Sequence, residues 1–153
     1  MKFLQSVSLL ALASQSLAAL SQIQLFAKSE NKEIDGKGLY YTHEGAGINY
    51  FFISTEESSP QLTYDDVSKE IYRQISPQIR FQFSKESDIV QLSVFSPETV
   101  EIKEDGLLTF TGSDTLYAAK NINDPYRYSE NAYAVVVGDS FGGVPLEIVA
   151  KKV

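Results

Sequence analysis

The feature that most limits the fold of this chain is a period of two in its apolar residues. Every second side chain is apolar in residues 79–84 (IRFQFS) and again in residues 90–94 (VQLSV). Such alternation is typical of β-strands that bury one face and expose the other. We therefore predict a mostly β protein with little or no helix, in which Phe81 and Phe83 belong to the core.

Turn-forming pairs separate these short strands. Asp105-Gly106 follows an apolar pair, Val100 and Ile102, and predicts a β-hairpin. Similar signals recur about every ten residues along the chain. Many short strands joined by such turns are typical of β-barrels and β-sandwiches.

Residues 65–75 (DDVSKEIYRQI) allow two interpretations. Val67, Ile71 and Ile75 have a helical spacing, and they follow two aspartates that can cap a helix. A β-hairpin is the interpretation we prefer, because this segment also belongs to an internal repeat.

The repeat consists of two similar segments that begin 46 residues apart. Residues 62–64 (LTY) followed by 71–72 (IY) resemble residues 108–110 (LTF) followed by 116–117 (LY). With residues 38–52 as a degenerate first copy, this spacing indicates a three-fold arrangement. We predict a closed β-trefoil-like barrel, with a two-sheet β-sandwich as the alternative.

The two ends of the proposed barrel also have strand patterns. In a closed barrel, residues 23–27 (IQLFA) and 144–150 (VPLEIVA) must pair as first and last strands. Pro145 has no amide hydrogen to donate, so we expect it to begin its strand.

The first 18 residues have the pattern of a secretory signal peptide. Lys2 precedes an apolar run, and Ser16-Leu17-Ala18 provides the small residues of a cleavage site. A short buried helix is the alternative. We expect cleavage after Ala18 and a single all-β domain over residues 19–153.

Composition excludes several classes of function. The formal charge is −7, and it becomes −8 when Lys2 leaves with the signal peptide, so nucleic acid is not an expected partner. The chain has no cysteine, which excludes disulfides and thiolate metal sites. It also has no Asn-x-Ser/Thr sequon, so any glycan would be O-linked to exposed Ser or Thr.

No catalytic residue, cofactor or metal ligand is predicted. His43 is the only histidine, and a strand would place Glu44 on the opposite face from it. Gly45 and Gly47 lack the third glycine of a phosphate-binding loop and are better explained as turn residues. Adjacent acids such as Glu56-Glu57 are typical of solvated turns.

The stretch NINDPYRYSENAYAVVVGD (121–139) has the most interesting side chains. Tyr126 and Tyr128 would share one face if the chain were extended, and could stack on a sugar ring. Half-buried packing of the two rings is the simpler interpretation. Our candidate carbohydrate-binding residues are Asn121, Asn123, Asp124, Tyr126 and Tyr128.

The chain resembles the N-terminal domain of Candida-type yeast GPI-linked cell-wall mannoproteins, the Rhd/Pga group. The motifs that carry the resemblance are AAKNINDPYRYSENAYAVVVGD, VPLEIVAKK, the start MKFLQSVSLLALASQSLA, IQLFAKSEN, HEGAGINYFFI and EDGLLTFTGSD. The resemblance implies a structural or surface role in the fungal wall with no catalytic residues. It also implies that residues 121–125 form a turn around which the nearby tyrosines pack.

Three function hypotheses follow from the residues and the resemblance together. The first is a non-enzymatic, secreted protein of the fungal cell wall or surface, and the second is a lectin-like module that binds wall polysaccharide. The third, which we favour least, is an enzyme. Residues 144–153 lack the pattern of a GPI-attachment signal. The expectation from the sequence is therefore an extracellular protein that is released or loosely held in the wall.

Overall fold

The computed structural model describes residues 20–153, so the predicted signal peptide lies outside the described residues. The described part of the chain is almost all β, as predicted. Its strands are β1 (Leu20–Lys28), β2 (Leu39–Gly45), β3 (Ile48–Ile53), β4 (Leu62–Asp65), β5 (Glu70–Gln74), β6 (Arg80–Glu86), β7 (Ile89–Ser93), β8 (Glu101–Ile102), β9 (Leu108–Thr109), β10 (Leu116–Ala119), β11 (Tyr133–Val137), β12 (Val144–Pro145) and β13 (Glu147–Lys152). Short 3₁₀ helices lie at Ser113–Thr115 and Tyr128–Glu130.

Most of these strands form one antiparallel sheet that curls into a nearly closed barrel. Their order is β12-β10-β11-β3-β7-β6-β5-β4-β1-β13, with β2 added beside β3. The two ends of this path, β12 and β13, follow each other in the chain and are separated only by Leu146. The amide of Leu146 donates to Leu116 O in β10 (3.0 Å), while β13 pairs with β1. The predicted barrel-like architecture is confirmed.

The predicted pairing of the terminal strands is also confirmed. β1 and β13 are antiparallel, with Ile23 opposite Lys152 and Lys28 opposite Glu147. We expected Pro145 to begin the last strand. Instead, it ends the two-residue strand β12, which lies beside β10. The prediction was wrong because residues 144–150 form two strands that belong to opposite edges of the sheet.

Both predicted hairpins are present. Strands β4 and β5 pair with Thr63 opposite Tyr72, so residues 65–75 do not form the alternative helix. Strands β8 and β9 pair across the turn at Asp105-Gly106, and they make up a small second sheet.

The two segments of the proposed internal repeat differ in their pairing. In the first, β4 pairs with β5 and with β1. In the second, β9 pairs with β8, whereas β10 pairs with β11 and β12. Their sequence similarity therefore does not correspond to equivalent strand pairs.

The main core fills the barrel interior, and it consists mostly of the inward-facing side chains of the strands. Phe51, Phe83, Leu92 and Val135 are among its fully buried members. Phe83 is a core residue, as predicted, but Phe81 is only half-buried at the edge of this cluster. Ile79 and Val94, in the predicted strand segments, lie outside the strands and are 45% and 52% exposed. The first strand therefore begins one residue later, and the second ends one residue earlier, than the sequence predicted.

A second, smaller core lies on the outer face of the sheet. Phe52 and Val136 belong to it, although their chain neighbours Phe51 and Val135 point into the barrel. Ile122 covers this outer patch from the segment between β10 and β11, residues 120–132, which we call the tyrosine loop. This apolar contact fixes the tyrosine loop against the barrel wall.

Candidate functional site

The tyrosine loop is folded back on itself by local hydrogen bonds. The amide of Asn121 donates to Ser129 O (2.8 Å), and the amide of Ile122 donates to the Ser129 hydroxyl (3.1 Å). Asn121 and Asn123 have φ angles of 57° and 62°. Asn adopts this left-handed conformation more easily than most residues, which explains two asparagines in so short a loop.

Asp124 organises the loop from within. Its Oδ2 accepts a hydrogen bond from the Tyr128 amide (2.9 Å), and its Oδ1 accepts from the amide of Ser129 (3.3 Å) and from the Ser129 hydroxyl. The side chain is only 4% exposed. Asp124 therefore mainly satisfies the first two backbone amides of the short helix at Tyr128–Glu130, whose N-cap residue is Arg127.

Glu44 links the loop to the barrel. The pairing of β2 with β3 shifts between His43 and Gly45, so Glu44 is the extra residue of a β-bulge. Its side chain is 3% exposed, and Oε1 accepts a hydrogen bond from the Tyr126 amide (2.9 Å). Its other oxygen, Oε2, is buried with no conventional hydrogen-bond donor among the described residues.

Glu44 and Asp124 form a pair of interacting carboxyl groups. The pKa of Glu44 is raised to about 7, first by burial and then by the hydrogen bond and charge of Asp124, while the hydrogen bond from the Tyr126 amide opposes this rise. Burial alone would raise the pKa of Asp124, but hydrogen bonds from Glu44 and Ser129 outweigh it, so this pKa lies below its ordinary value. The pKa of Glu44 therefore lies above that of Asp124, so Glu44 is the carboxyl group of the two that keeps a proton as the pH rises toward neutral.

Tyr126 and Tyr128 lie above this carboxyl pair and are 51% and 42% exposed. Their rings are 6.0 Å apart and nearly perpendicular, at 86°. They do not form the flat shared face expected of an extended chain, because Arg127 between them has a φ of 59°. Tyr128 also packs edge-on against Phe52, and Tyr126 contacts the ring of His43. Each of the two rings therefore packs against a neighbouring ring on one side and is exposed to solvent on another.

A broad groove of about 880 Å³ runs beside these two rings. We call it the tyrosine groove, and Tyr40, Tyr126, Tyr128 and Tyr133 line it together with charged residues from several segments. The charged lining residues are Glu33, Glu56, Lys120, Arg127 and Glu130. Lys120 Nζ lies 4.7 Å from the centre of the Tyr133 ring, whose hydroxyl donates to Glu33 (3.3 Å).

The five candidate residues from the sequence do not all line this groove. Asn121, Asn123 and Asp124 line a smaller hollow of about 310 Å³ on another side of the loop. Sequence reasoning missed Glu44, whose partner Tyr126 is 82 positions away. The one local signal was an acidic residue next to the apolar and aromatic residues of 38–52, immediately before Gly45.

Other classes of site find little support in the part of the chain that the structure describes. His43 is exposed, and its nearest aromatic partner is Tyr126. Within residues 20–153, no group of three or more His, Asp or Glu side chains is arranged to hold a metal ion. In the same residues, no helix has the length and apolar character to cross a membrane.

Comparison with known proteins gives three curated relatives from Candida albicans. The chain is 45% identical over 157 residues to cell wall protein RHD3, covering 99% of this chain and 74% of that protein. It is 44% identical to cell wall protein PGA31 over 155 residues and 43% identical to cell wall protein PGA30 over 155 residues. Each of these alignments covers 99% of this chain but only 53% and 55% of the relative, so the chain spans about half of their length.

No protein-family model matches the chain, and no solved structure matches it. The relatives confirm the resemblance to the Rhd/Pga group and support a secreted or cell-wall location. At this identity and coverage, the chain belongs to the family of fungal cell-wall proteins that includes RHD3, PGA31 and PGA30.

Proposed function

We propose that this domain is a non-enzymatic protein of the fungal wall with a structural or surface role. The observation that supports this is the use of its buried acids. Glu44 and Asp124 accept hydrogen bonds from loop amides and are only 3% and 4% exposed. Acids that cleave a glycosidic bond must reach that bond from a cleft, whereas these two acids hold the backbone of a loop.

The test is a search for hydrolysis of wall polymers. Purified protein would be incubated with β-glucan, chitin and mannan, and new reducing ends would be measured over time. We expect no release above a heat-inactivated sample. Release that Glu44→Gln or Asp124→Asn abolishes would overturn the proposal.

A second function, binding of wall polysaccharide, is favoured by the tyrosine groove. Tyr126 and Tyr128 are large, partly exposed aromatic side chains on a loop that is fixed at Ile122, Glu44 and Asp124. Aromatic rings held in place in this way lose little conformational freedom when a ligand packs on them. Sugar rings present apolar C–H faces that can pack on such aromatic faces.

The geometry of the two rings favours one form of polysaccharide. Flat crystalline surfaces need coplanar rings, whereas the rings of Tyr126 and Tyr128 meet at 86°. Perpendicular rings suit a single chain whose sugar unit enters the corner between them. The groove lining also mixes carboxylates with Lys120 and Arg127, which suits a neutral, hydroxyl-rich chain better than a highly charged one.

Binding would be measured by titrating the protein with soluble β-glucan and mannan oligosaccharides, and by pull-down on insoluble glucan and chitin. We expect binding to a soluble chain, and about a tenfold loss of affinity in Tyr126→Ala or Tyr128→Ala, corresponding to about 1.4 kcal/mol. Phe141→Ala is the matched control, because Phe141 is an exposed aromatic residue that does not line the groove. Equal affinity in the tyrosine variants would contradict binding at this groove.

A further inference from the structure

The buried carboxyl pair lies where it can control the tyrosine loop. Glu44 belongs to the barrel, and it accepts a hydrogen bond from the backbone amide of Tyr126. Asp124 belongs to the loop, and it accepts one from the backbone amide of Tyr128. The loop is therefore fastened at the two residues whose rings border the tyrosine groove. A change of charge in the pair acts directly on these two hydrogen bonds.

We propose that Glu44 and Asp124 form a proton-dependent latch, which holds the tyrosine loop closed on the barrel while the pair shares one proton and loosens it when that proton is lost. A proton on Glu44 gives this carboxyl group an O–H that can donate to the Asp124 carboxylate, which would satisfy the buried Oε2 that otherwise lacks a partner. Without this proton, two carboxylates face each other in a site almost closed to water. Like charges in such a site repel strongly because water screens them poorly.

Within residues 20–153, the groups that act most on the pKa values of Glu44 and Asp124 include no cation. From β3, Tyr50 faces the pair, and its pKa is raised first by burial and then by the charges of Glu44 and Asp124. From the loop, the contributors to the pKa of Glu44 are Asp124 and the Tyr126 amide. His43 of β2 is exposed and contacts the Tyr126 ring, and Arg127 points to the groove and the small hollow. The rise in the pKa of Glu44 to about 7 agrees with a switch near neutral pH.

This inference concerns regulation of the tyrosine groove, and it rests on the proposed polysaccharide binding only for its biological consequence. The latch itself is tested without any glycan. The readout is hydrogen exchange at the amides of Tyr126 and Tyr128, corrected for the intrinsic dependence of exchange on pH. Failure of glycan binding and failure of the latch are therefore separate results.

We expect protection of these two amides to fall about tenfold or more between about pH 5 and about pH 8.5, because each unit of pKa shift corresponds to a factor of ten. Amides in the barrel strands, such as Val135, should keep their protection. In Glu44→Gln, the side-chain amide donates to Asp124 at every pH, so protection should stay high throughout. Glu130→Gln removes an exposed carboxyl from the same loop and should keep the wild-type transition.

Two further measurements test whether the carboxyl pair itself causes the transition. His43→Gln should also keep the transition, which separates the carboxyl pair from the neighbouring imidazole. In the unaltered protein, the carboxyl carbon of Glu44 and the amide of Tyr126 should titrate together by NMR, so the test does not depend on a variant that fails to fold. Protection that is independent of pH, or an unchanged transition in Glu44→Gln, would overturn the latch.

Discussion

The amide of Tyr126 donates a 2.9 Å hydrogen bond to Oε1 of Glu44, across 82 positions of sequence. This contact joins the exposed aromatic loop to a bulge in the barrel wall. Because Glu44 is buried and coupled to Asp124, the same contact makes the loop sensitive to protonation. The stability of the protein should reflect that coupling.

Raising the pH should destabilise the protein through Glu44. Its pKa is about 7 in the folded protein and 4.5 in its ordinary state, so between these values the folded form holds a proton that the unfolded form has lost. The free energy of unfolding therefore falls as pH rises through this window, by at most about 3 kcal/mol. Urea unfolding at about pH 5 and about pH 8 measures the effect. Glu44→Gln should flatten this dependence and Glu130→Gln should not.

Lowering the pH should destabilise the protein through Asp124. The pKa of this carboxyl is lowered by folding, so its contribution is present above the ordinary pKa and is lost as pH falls through the folded value. Asp124→Asn should cost about 1–3 kcal/mol at pH 5, since buried amides lose a charged acceptor. Asp139→Asn, an exposed acid in another turn, is the matched control. Equal unfolding curves for both variants would show that Asp124 does not support the loop.

Truncation of Phe83 should be costly. Phe83 is fully buried, and the centre of its ring lies 5.6 Å from the centre of the Phe51 ring and 5.1 Å from that of Phe110. Phe83→Ala should lower the free energy of unfolding by about 3–5 kcal/mol. Phe81→Ala, at a half-buried position on the same strand, should cost clearly less, and the exposed Phe95→Ala about 0.5 kcal/mol or less. Thermal unfolding of the three variants gives the order, and a Phe81 cost equal to that of Phe83 would contradict it.

Two neighbouring glycines should respond differently to alanine. Gly142 and Gly143 both have positive φ angles, 73° and 109°, so each substitution strains the backbone by about 1–2 kcal/mol. A Cβ at Gly142 meets nothing within 4 Å, whereas one at Gly143 meets the carbonyl oxygen of Ala118 in β10. Gly143→Ala should therefore lower Tm well beyond Gly142→Ala. Similar values for the two would mean that β10 and this turn separate easily.

Local sequence signals predicted the strands and hairpins well. Asp105-Gly106 specifies a tight turn through residues adjacent in the chain, and the hairpin at residues 62–74 is likewise local. The pairing of the terminal strands was also predictable, because a closed barrel requires it. The similarity of the two repeat segments was misleading, since pairing partners of β9 and β10 depend on long-range packing.

The candidate site was only partly predictable, because it too depends on contacts between residues that are far apart in the sequence. The tyrosines of the loop were identified from sequence, and their role as binding residues stays a prediction. Their perpendicular rings depend on the left-handed conformation of Arg127, which is not a residue that signals such a turn. The burial of Glu44 depends on a loop far along the chain, so its position beside Gly45 alone does not reveal it.

The single residue Leu146, between β12 and β13, has a consequence for how the protein is made. Both free edges of the sheet are covered by residues 144–152, the last of the described strands to leave the ribosome. Until then, β1 is paired only with β4 and β10 only with β11, so one edge of each strand is open, and unpaired strand edges invite association with other chains. A chain in synthesis is therefore exposed to edge-to-edge association until residues 144–152 arrive and complete the wall of the barrel.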